Sequence, residues 1–463
     1  MKIVIFGIGE LYRQNKKNIS TEDTVVAFLD NNEKMQGKTK EGICIYSPLH
    51  IHRIQYDTIV IMSNYAMEMK EQLLELGCQR DKILHFAEYL NRQKKRKMEV
   101  YFADKEKKGC KCLIITSSLG YHGGAIAAVY AALALQNNGY NITIAAPDGD
   151  MKFIREFQKK GIEFLVYPNL EYAKWDELFW VKEYEKIIVN TYPMILCALE
   201  IGKYRKVLVW LHESDIIYQY MEFWKDKVLE YICSSEICIY AVSDVARKNF
   251  IKNVTEYTIG ILPYGIPDLN GNSEVCKGSK TTFALVGTIY PVKQQLVYLE
   301  AIKLLDEIYQ KENEFLIIGN AGKYNEYVNE VRKGIGTFQN QCVKWIGKLD
   351  RGEMEKKYRD IDVLVIASAQ ETMSLVATEA MMYGKTCIIC DVAGMAEYVR
   401  HGENGLICRT GDADSLAEQL TYCIENRDML NIFGKEARKT YCKNFTMKAF
   451  GDRLEKGIGT NIL

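Results

Sequence analysis

Three stretches of this chain share one local grammar: a short run of β-branched and other apolar residues, a turn containing glycine, then a helical pattern. They are "KIVIFGIGELY" from Lys2, "CLIITSSLGYHGGAIAAVYAALAL" from Cys112 and "TFALVGTIYPVKQQLVYLEAIKLL" from Thr282. An apolar run that enters a helix through a glycine turn reads as a buried parallel strand opening a Rossmann-like unit. Between and after them, runs such as "KIIVN", "KVLVW", "ICIYAVS", "EFLIIG", "DVLVIAS" and "TCIIC" alternate with amphipathic helical segments. That alternation predicts an α/β protein with parallel sheets. Two polar stretches, at 92–111 and 268–280, divide it into a first unit of about 90 residues and two larger Rossmann-like units.

A length of 463 residues agrees with roughly three domains. Sixty basic and sixty acidic residues cancel, so the overall charge gives no argument for a nucleic acid or an acidic partner. The N-terminus lacks the basic start, long apolar core and small-residue cleavage site of a secretory signal. The longest apolar run, "AIAAVYAALAL" at 125–135, has 11 residues, and a bilayer span takes about 20. The expected location is therefore cytoplasmic. "NRQKKRK" at 91–97 reads as a solvated linker or as an electrostatic foot at the anionic inner face of a membrane. The fourteen cysteines are scattered; the one Cys-x-x-Cys pair, Cys387 and Cys390, lies in a strand-like run without a second pair or a histidine nearby. Reduced thiols that act as small hydrophobes are expected there, not a zinc site.

The stretch "SAQETMSLVATEAMMYG" at 368–384 sets Glu371 and Glu379 eight positions apart in otherwise apolar or small surroundings. It follows the strand "DVLVIAS" and reads as turn, then helix, with Ser374 as N-cap and Gly384 as a left-handed C-terminal cap. Glu371 then occupies the turn at the carboxyl edge of a parallel sheet, where open α/β folds bind ligands. The backbone N–H groups of Met373, Ser374 and Leu375 would face that crevice, a ready site for phosphate oxygens. Glu379 could turn its carboxylate to the same crevice and accept hydrogen bonds from sugar or ribose hydroxyls. Ligand hydroxyls, not salt bridges, are then expected to offset the burial of both glutamates.

The longer run "ETMSLVATEAMMYGKTCIICDVAGMAEYVRHGENGL" resembles the signature of family-4 retaining glycosyltransferases of the GT-B fold, and the similarity extends over roughly residues 111–463. It implies two facing Rossmann-like domains: an acceptor-side lobe at 111–270, a nucleotide-sugar lobe at 271–445, and a C-terminal helix at 446–463 that crosses back to the first lobe. The N-terminal Rossmann-like domain at 1–92 and the charged linker at 93–110 lie outside that pattern. By the same resemblance, Gly123 and Gly124 in "LGYHGGA" let the backbone approach the donor diphosphate, and His212 in "HES" contacts the donor sugar. "VGTIYPVKQ" keeps Lys293, a diphosphate ligand, but has Thr288 where the family has arginine. A hydroxyl can hydrogen-bond phosphate and cannot neutralise it. "IIGNAG" at 317–322 and "VKWIGKLD" at 343–350 match loops that meet the nucleotide base through backbone. Glu397, after the turn "AGM", is a weaker candidate.

The implied activity is retaining transfer of a hexose from a nucleotide sugar, a UDP-sugar by preference, to a glycan or lipid-linked acceptor in assembly of a bacterial surface polysaccharide. Glu371, His212 and Lys293 would carry the chemistry. Gly123, Gly124, Thr288, Met373, Ser374, Leu375 and Glu379 would bind the donor. No cofactor and no metal are expected: "DID" at 360–362 begins a strand and "DAD" at 412–414 begins a capped helix, so neither reads as a metal site. Two alternatives stay open, a catalytically silent GT-B partner or glycan-binding subunit and a nucleotide-sugar epimerase on the same fold.

The first ninety residues carry a Gly-x-Gly turn and Asp30 about twenty residues on, part of a dinucleotide fingerprint. Tyr12 stands at the third glycine position. A scaffolding role, or homo-oligomerisation through this domain, is expected in preference to cofactor binding.

Overall fold

The computed structural model describes residues 1–93, 97–103, 109–269 and 280–459. Among these residues three sheets form, one at the centre of each of the three units. The first runs through strands Thr39–Lys40, Ile43–Tyr46, Thr24–Leu29, Lys2–Phe6, Thr58–Ile61 and Ile83–His85, parallel except for the short hairpin of the first two. The second runs through Ile259–Ile261, Ile237–Ala241, Val207–Leu211, Lys186–Asn190, Lys111–Ile115, Asn141–Ala146, Glu163–Val166 and Glu99–Tyr101. The third is wholly parallel: Val343–Trp345, Glu314–Ile318, Thr282–Val286, Val363–Ile366, Thr386–Cys390 and Leu406–Cys408.

In the second sheet, chain order reverses between Lys111–Ile115 and Lys186–Asn190. In the third it reverses between Thr282–Val286 and Val363–Ile366. Such switch points open a crevice at the carboxyl ends of the two strands. The strands around it run through the core, where Leu113, Ile114, Ile115, Val209, Ala284 and Val365 are fully enclosed. Cys387 and Cys390 belong to the same core as free thiols, and burial pushes Cys387 up to about 12.

The expectation of a charged linker at 93–110 needs correcting in part. Glu99–Tyr101 forms an antiparallel edge strand on Glu163–Val166, which gives its backbone the partners a free linker would lack. Residues 94–96, within "NRQKKRK", and 104–108 lie outside the described residues, as do 270–279 of the second polar stretch. The C-terminal helix, Met447–Gly459, lies on the second unit: Phe450 packs on Trp210 at 5.4 Å between ring centroids, and Asn138 donates to Glu455 at 3.0 Å.

The first unit shares a core with the second. Val4, Phe6, Ile59 and Ile61 from its sheet cluster with Phe223 and Trp224 of the second unit. Lys70, 3% exposed, donates to the Phe223 carbonyl at 2.6 Å and to Asp226 at 2.8 Å. Trp224 donates through its indole N–H to the buried carboxylate of Glu88 at 3.1 Å. Among the described residues no helix is long and apolar enough to cross a membrane.

Candidate functional site

The strand Val363–Ile366, the turn and the helix Leu375–Met382 follow the order read from the sequence. Ser374 caps the helix, its hydroxyl accepting from the Ala377 N–H at 3.2 Å. At the other end Gly384 has φ +68°, while the Lys385 N–H donates to Ala380 and the Gly384 N–H to Met381. Those two bonds and the left-handed glycine make a Schellman ending. Met373 and Ser374 are buried in the turn that opens the helix, and Leu375 begins it.

Glu371 and Lys293 sit in the loops after the two strands of the third sheet's switch point. Lys293 donates to Glu371 at 2.5 Å, with Ser368 3.5 Å from the same carboxylate oxygen. Their side chains are 32% and 14% exposed for Lys293 and Glu371 respectively. The expectation that ligand hydroxyls alone offset the cost of Glu371 therefore needs correcting: a cation 78 residues away in sequence does so in this structure. Thr288 is exposed and donates to Asn320 at 2.9 Å, so its hydroxyl ties together the loops after Thr282–Val286 and Glu314–Ile318. The loops are close enough there that a Cβ on Gly319 would lie 2.0 Å from the Gly287 carbonyl oxygen.

The second unit supplies the facing wall. The helix Gly123–Asn137 opens with the glycine pair, and His122 caps it, accepting from the Ala125 N–H. Nothing lies within 4 Å of a Cβ built on Gly123, whereas one on Gly124 would meet Thr191 at 3.1 Å. Asn190 holds this turn by donating to the Gly124 carbonyl at 2.9 Å and to Thr116 at 3.0 Å. His212, at the end of Val207–Leu211, stacks edge-on to Trp210 at 4.3 Å. Its Nε2 is buried without a hydrogen-bond partner among the described residues, and burial pushes the imidazole down to about 3. It is a neutral ring at physiological pH, able to share one hydrogen bond with a hydroxyl and unable to act as a cation.

Next to it, Glu213 is a residue that the sequence motifs do not single out. Its carboxylate accepts from the Tyr192 N–H at 2.9 Å and the His212 N–H at 2.8 Å, so it shapes the turn that carries the histidine. Burial outweighs these donors and pushes it up to about 7. A charged residue so soon after a fully apolar strand is the signal that could have found it. Because the folded-state value lies above the ordinary one, the group favours folding most below about pH 4.5, and that contribution is lost as pH rises through 7. A shift of this size corresponds to about 3 kcal/mol. Urea unfolding at pH 5 and pH 8 should show the wild type losing more stability than Glu213→Gln over that interval; parallel losses would contradict the assignment.

Two other candidates have protein partners that the motifs do not reveal. The Glu379 carboxylate accepts a 2.7 Å bond from the buried Tyr358 hydroxyl, a partner beneath the crevice, and burial raises its pKa. One oxygen is thus anchored by protein, and the carboxylate keeps further lone pairs for a second donor. Glu397 accepts from the Asp244 N–H at 3.0 Å, at the start of the helix Asp244–Asn253 in the opposite unit. A carboxylate on a helix N-terminus is favourable there, and this makes Glu397 an inter-unit contact.

Comparison with known proteins agrees with this architecture. Residues 271–440 match the family model for group 1 glycosyl transferases, and residues 1–84 match a C2185-like N-terminal domain. The UDP-Gal:alpha-D-GlcNAc-diphosphoundecaprenol alpha-1,3-galactosyltransferase of Escherichia coli is 24% identical over 247 residues, 52% of this chain and 62% of that one. An uncharacterized 41.2 kDa protein from the cps region of Klebsiella pneumoniae is 24% identical over 71% of this chain and 92% of its own. Four of the curated relatives are spanned over only 25% to 64% of their length. Among solved structures, Anabaena Alr3699/HepE in complex with UDP and glucose superposes with a TM-score of 0.63 at 17% identity, over 76% of this chain and all of that one. The lipopolysaccharide glycosyltransferase WaaG superposes at 0.54 and 13% identity, over 76% of this chain and all of that one. The two larger units thus have the GT-B glycosyltransferase fold, with an additional sheet domain in front, and the third unit matches the group 1 glycosyl transferases.

Proposed function

We propose that this chain is a glycosyltransferase that moves a sugar from a UDP-sugar to a glycan or lipid-linked acceptor in bacterial surface polysaccharide assembly, with retention of configuration. The observation that carries the reading is the Lys293–Glu371 pair at the switch point of the third sheet, joined across the crevice to the turn of His212. Breaking a sugar–phosphate bond builds negative charge on the diphosphate and positive charge on the anomeric carbon. Lys293 and the amides at the start of Leu375–Met382 are suited to the first, and Glu371 to the second. When the donor enters, the diphosphate takes Lys293 from Glu371, and the released carboxylate turns to the sugar hydroxyls. His212 offers its neutral ring to the same sugar. The leaving phosphate accepts the proton of the acceptor hydroxyl, so the scheme uses no cofactor and no metal. The core that the N-terminal domain shares with Phe223 and Trp224 suits a scaffolding role for that domain.

The test is a panel of UDP-sugars assayed for binding, hydrolysis, transfer and epimerised product, with and without EDTA. Turnover that survives EDTA is expected, and Glu371→Gln should lower it about 100-fold or more while UDP still binds. If the wild type neither binds UDP nor turns over any donor, and Glu371→Gln matches it, the chain is a silent partner. An epimerised nucleotide sugar as sole product would identify the other alternative.

A further inference from the structure

Glu371 is followed by a residue that reaches the opposite unit. The Thr372 hydroxyl donates to the carbonyl of His212 at 2.7 Å, between residues 160 apart in sequence. The Thr372 carbonyl in turn accepts from the fully buried hydroxyl of Ser243 at 2.5 Å. Ser243 is itself fixed, since its hydroxyl caps the helix Asp244–Asn253 by accepting from the Ala246 N–H. On the far side, the Gly394 N–H donates to the Glu371 carbonyl at 2.9 Å, and a Cβ at Gly394 would lie 2.0 Å from the Thr372 carbonyl oxygen and 2.8 Å from Ser243. Thr372 therefore bonds through both its side chain and its main chain to a unit built on a different sheet. One of those bonds ends on the residue whose buried imidazole Nε2 has no partner among the described residues, and the other end of the dipeptide carries the carboxylate paired with Lys293.

We propose that Thr372 is a positioning residue: with Ser243 it latches the two large units together and so fixes the placement of His212 relative to Glu371 and Lys293. The inference rests on the glycosyltransferase reading for its catalytic consequence, and on geometry alone for the latch. Misplacing reacting groups by about 1 Å can cost on the order of 100-fold in rate. A valine has the shape of threonine without the hydroxyl, so Thr372→Val removes the bond to His212 and leaves the volume in place.

The full-length Thr372→Val, Thr372→Ser and Ser243→Ala variants should be compared with wild type in three measurements: UDP-sugar turnover, UDP affinity by calorimetry, and small-angle X-ray scattering of the free chain. Thr372→Val should lower kcat about 10-fold or more, leave the UDP Kd within about twofold, and increase the radius of gyration. Thr372→Ser, which keeps a hydroxyl, should restore both kcat and radius. Ser243→Ala should change them in the same direction as valine. Unchanged scattering and unchanged kcat in Thr372→Val overturn the latch. A joint fall of Tm and UDP affinity, no better in Thr372→Ser, makes Thr372 a packing residue and overturns it as well. If the wild type turns over no UDP-sugar, the catalytic reading fails, and the scattering comparison still decides whether the latch exists.

Discussion

Lys293→Ala should lower donor turnover about 100- to 1000-fold, the range found when one preorganised charge or donor is removed from a developing anion. The expectation is this large because Thr288, at the neighbouring position proposed to meet the diphosphate, is neutral and already donates to Asn320. The variant also leaves Glu371 without its cation, with Ser368 at 3.5 Å as the remaining side-chain neighbour on that oxygen. An unpaired carboxylate at the proposed diphosphate site would repel the ligand, so UDP affinity should fall together with kcat. Lys293→Arg, which keeps the charge in another shape, should recover part of both. Initial rates of UDP release and calorimetry with UDP measure the two effects. A Lys293→Ala variant within about threefold of wild type would remove Lys293 from the mechanism.

Trp224→Ala should destabilise the junction between the first and second units by about 3–5 kcal/mol, the usual cost of emptying a buried tryptophan site. Trp224 is 5% exposed and packs against His85 at 5.3 Å and Phe223 at 5.3 Å. Its loss removes a hydrogen-bond donor from Glu88, whose remaining ion-pair partners among the described residues are Arg92 at 2.6 Å and Lys227 at 3.7 Å. Lys227, at 3.7 Å, is beyond hydrogen-bond distance and does not replace the indole. Calorimetric unfolding should resolve a separate, earlier transition for the N-terminal domain, while UDP still binds the folded remainder. A single transition at the wild-type temperature would show that the shared core contributes little to docking.

Local features are legible where their cause is local. The strand, turn and helix from 362 to 384 can be read from an apolar run, a serine and a glycine, and the structure supplies the cap bond of Ser374 and the positive φ of Gly384. Thr288 in place of a cation is equally plain. The protein partner of Glu379 is not legible from sequence, because Tyr358 lies on another helix and nothing in "VATEAMMYG" points to it. The partner of Glu397 is hidden for the same reason, being a backbone N–H of the opposite unit.

The α/β class, the parallel strands, the glycine turns at their carboxyl ends and the loops that carry the candidate residues are all legible in the chain. These depend on hydrophobic period, β-branching and capping, which act over a few residues. Only the tertiary structure decided which of those residues meet. Lys293 and Glu371 are 78 apart, Thr372 and His212 160 apart, and Glu88 and Trp224 136 apart. Such contacts follow from the order of strands at a switch point and the closure of one sheet's unit on another, and neither leaves a periodic trace in the chain.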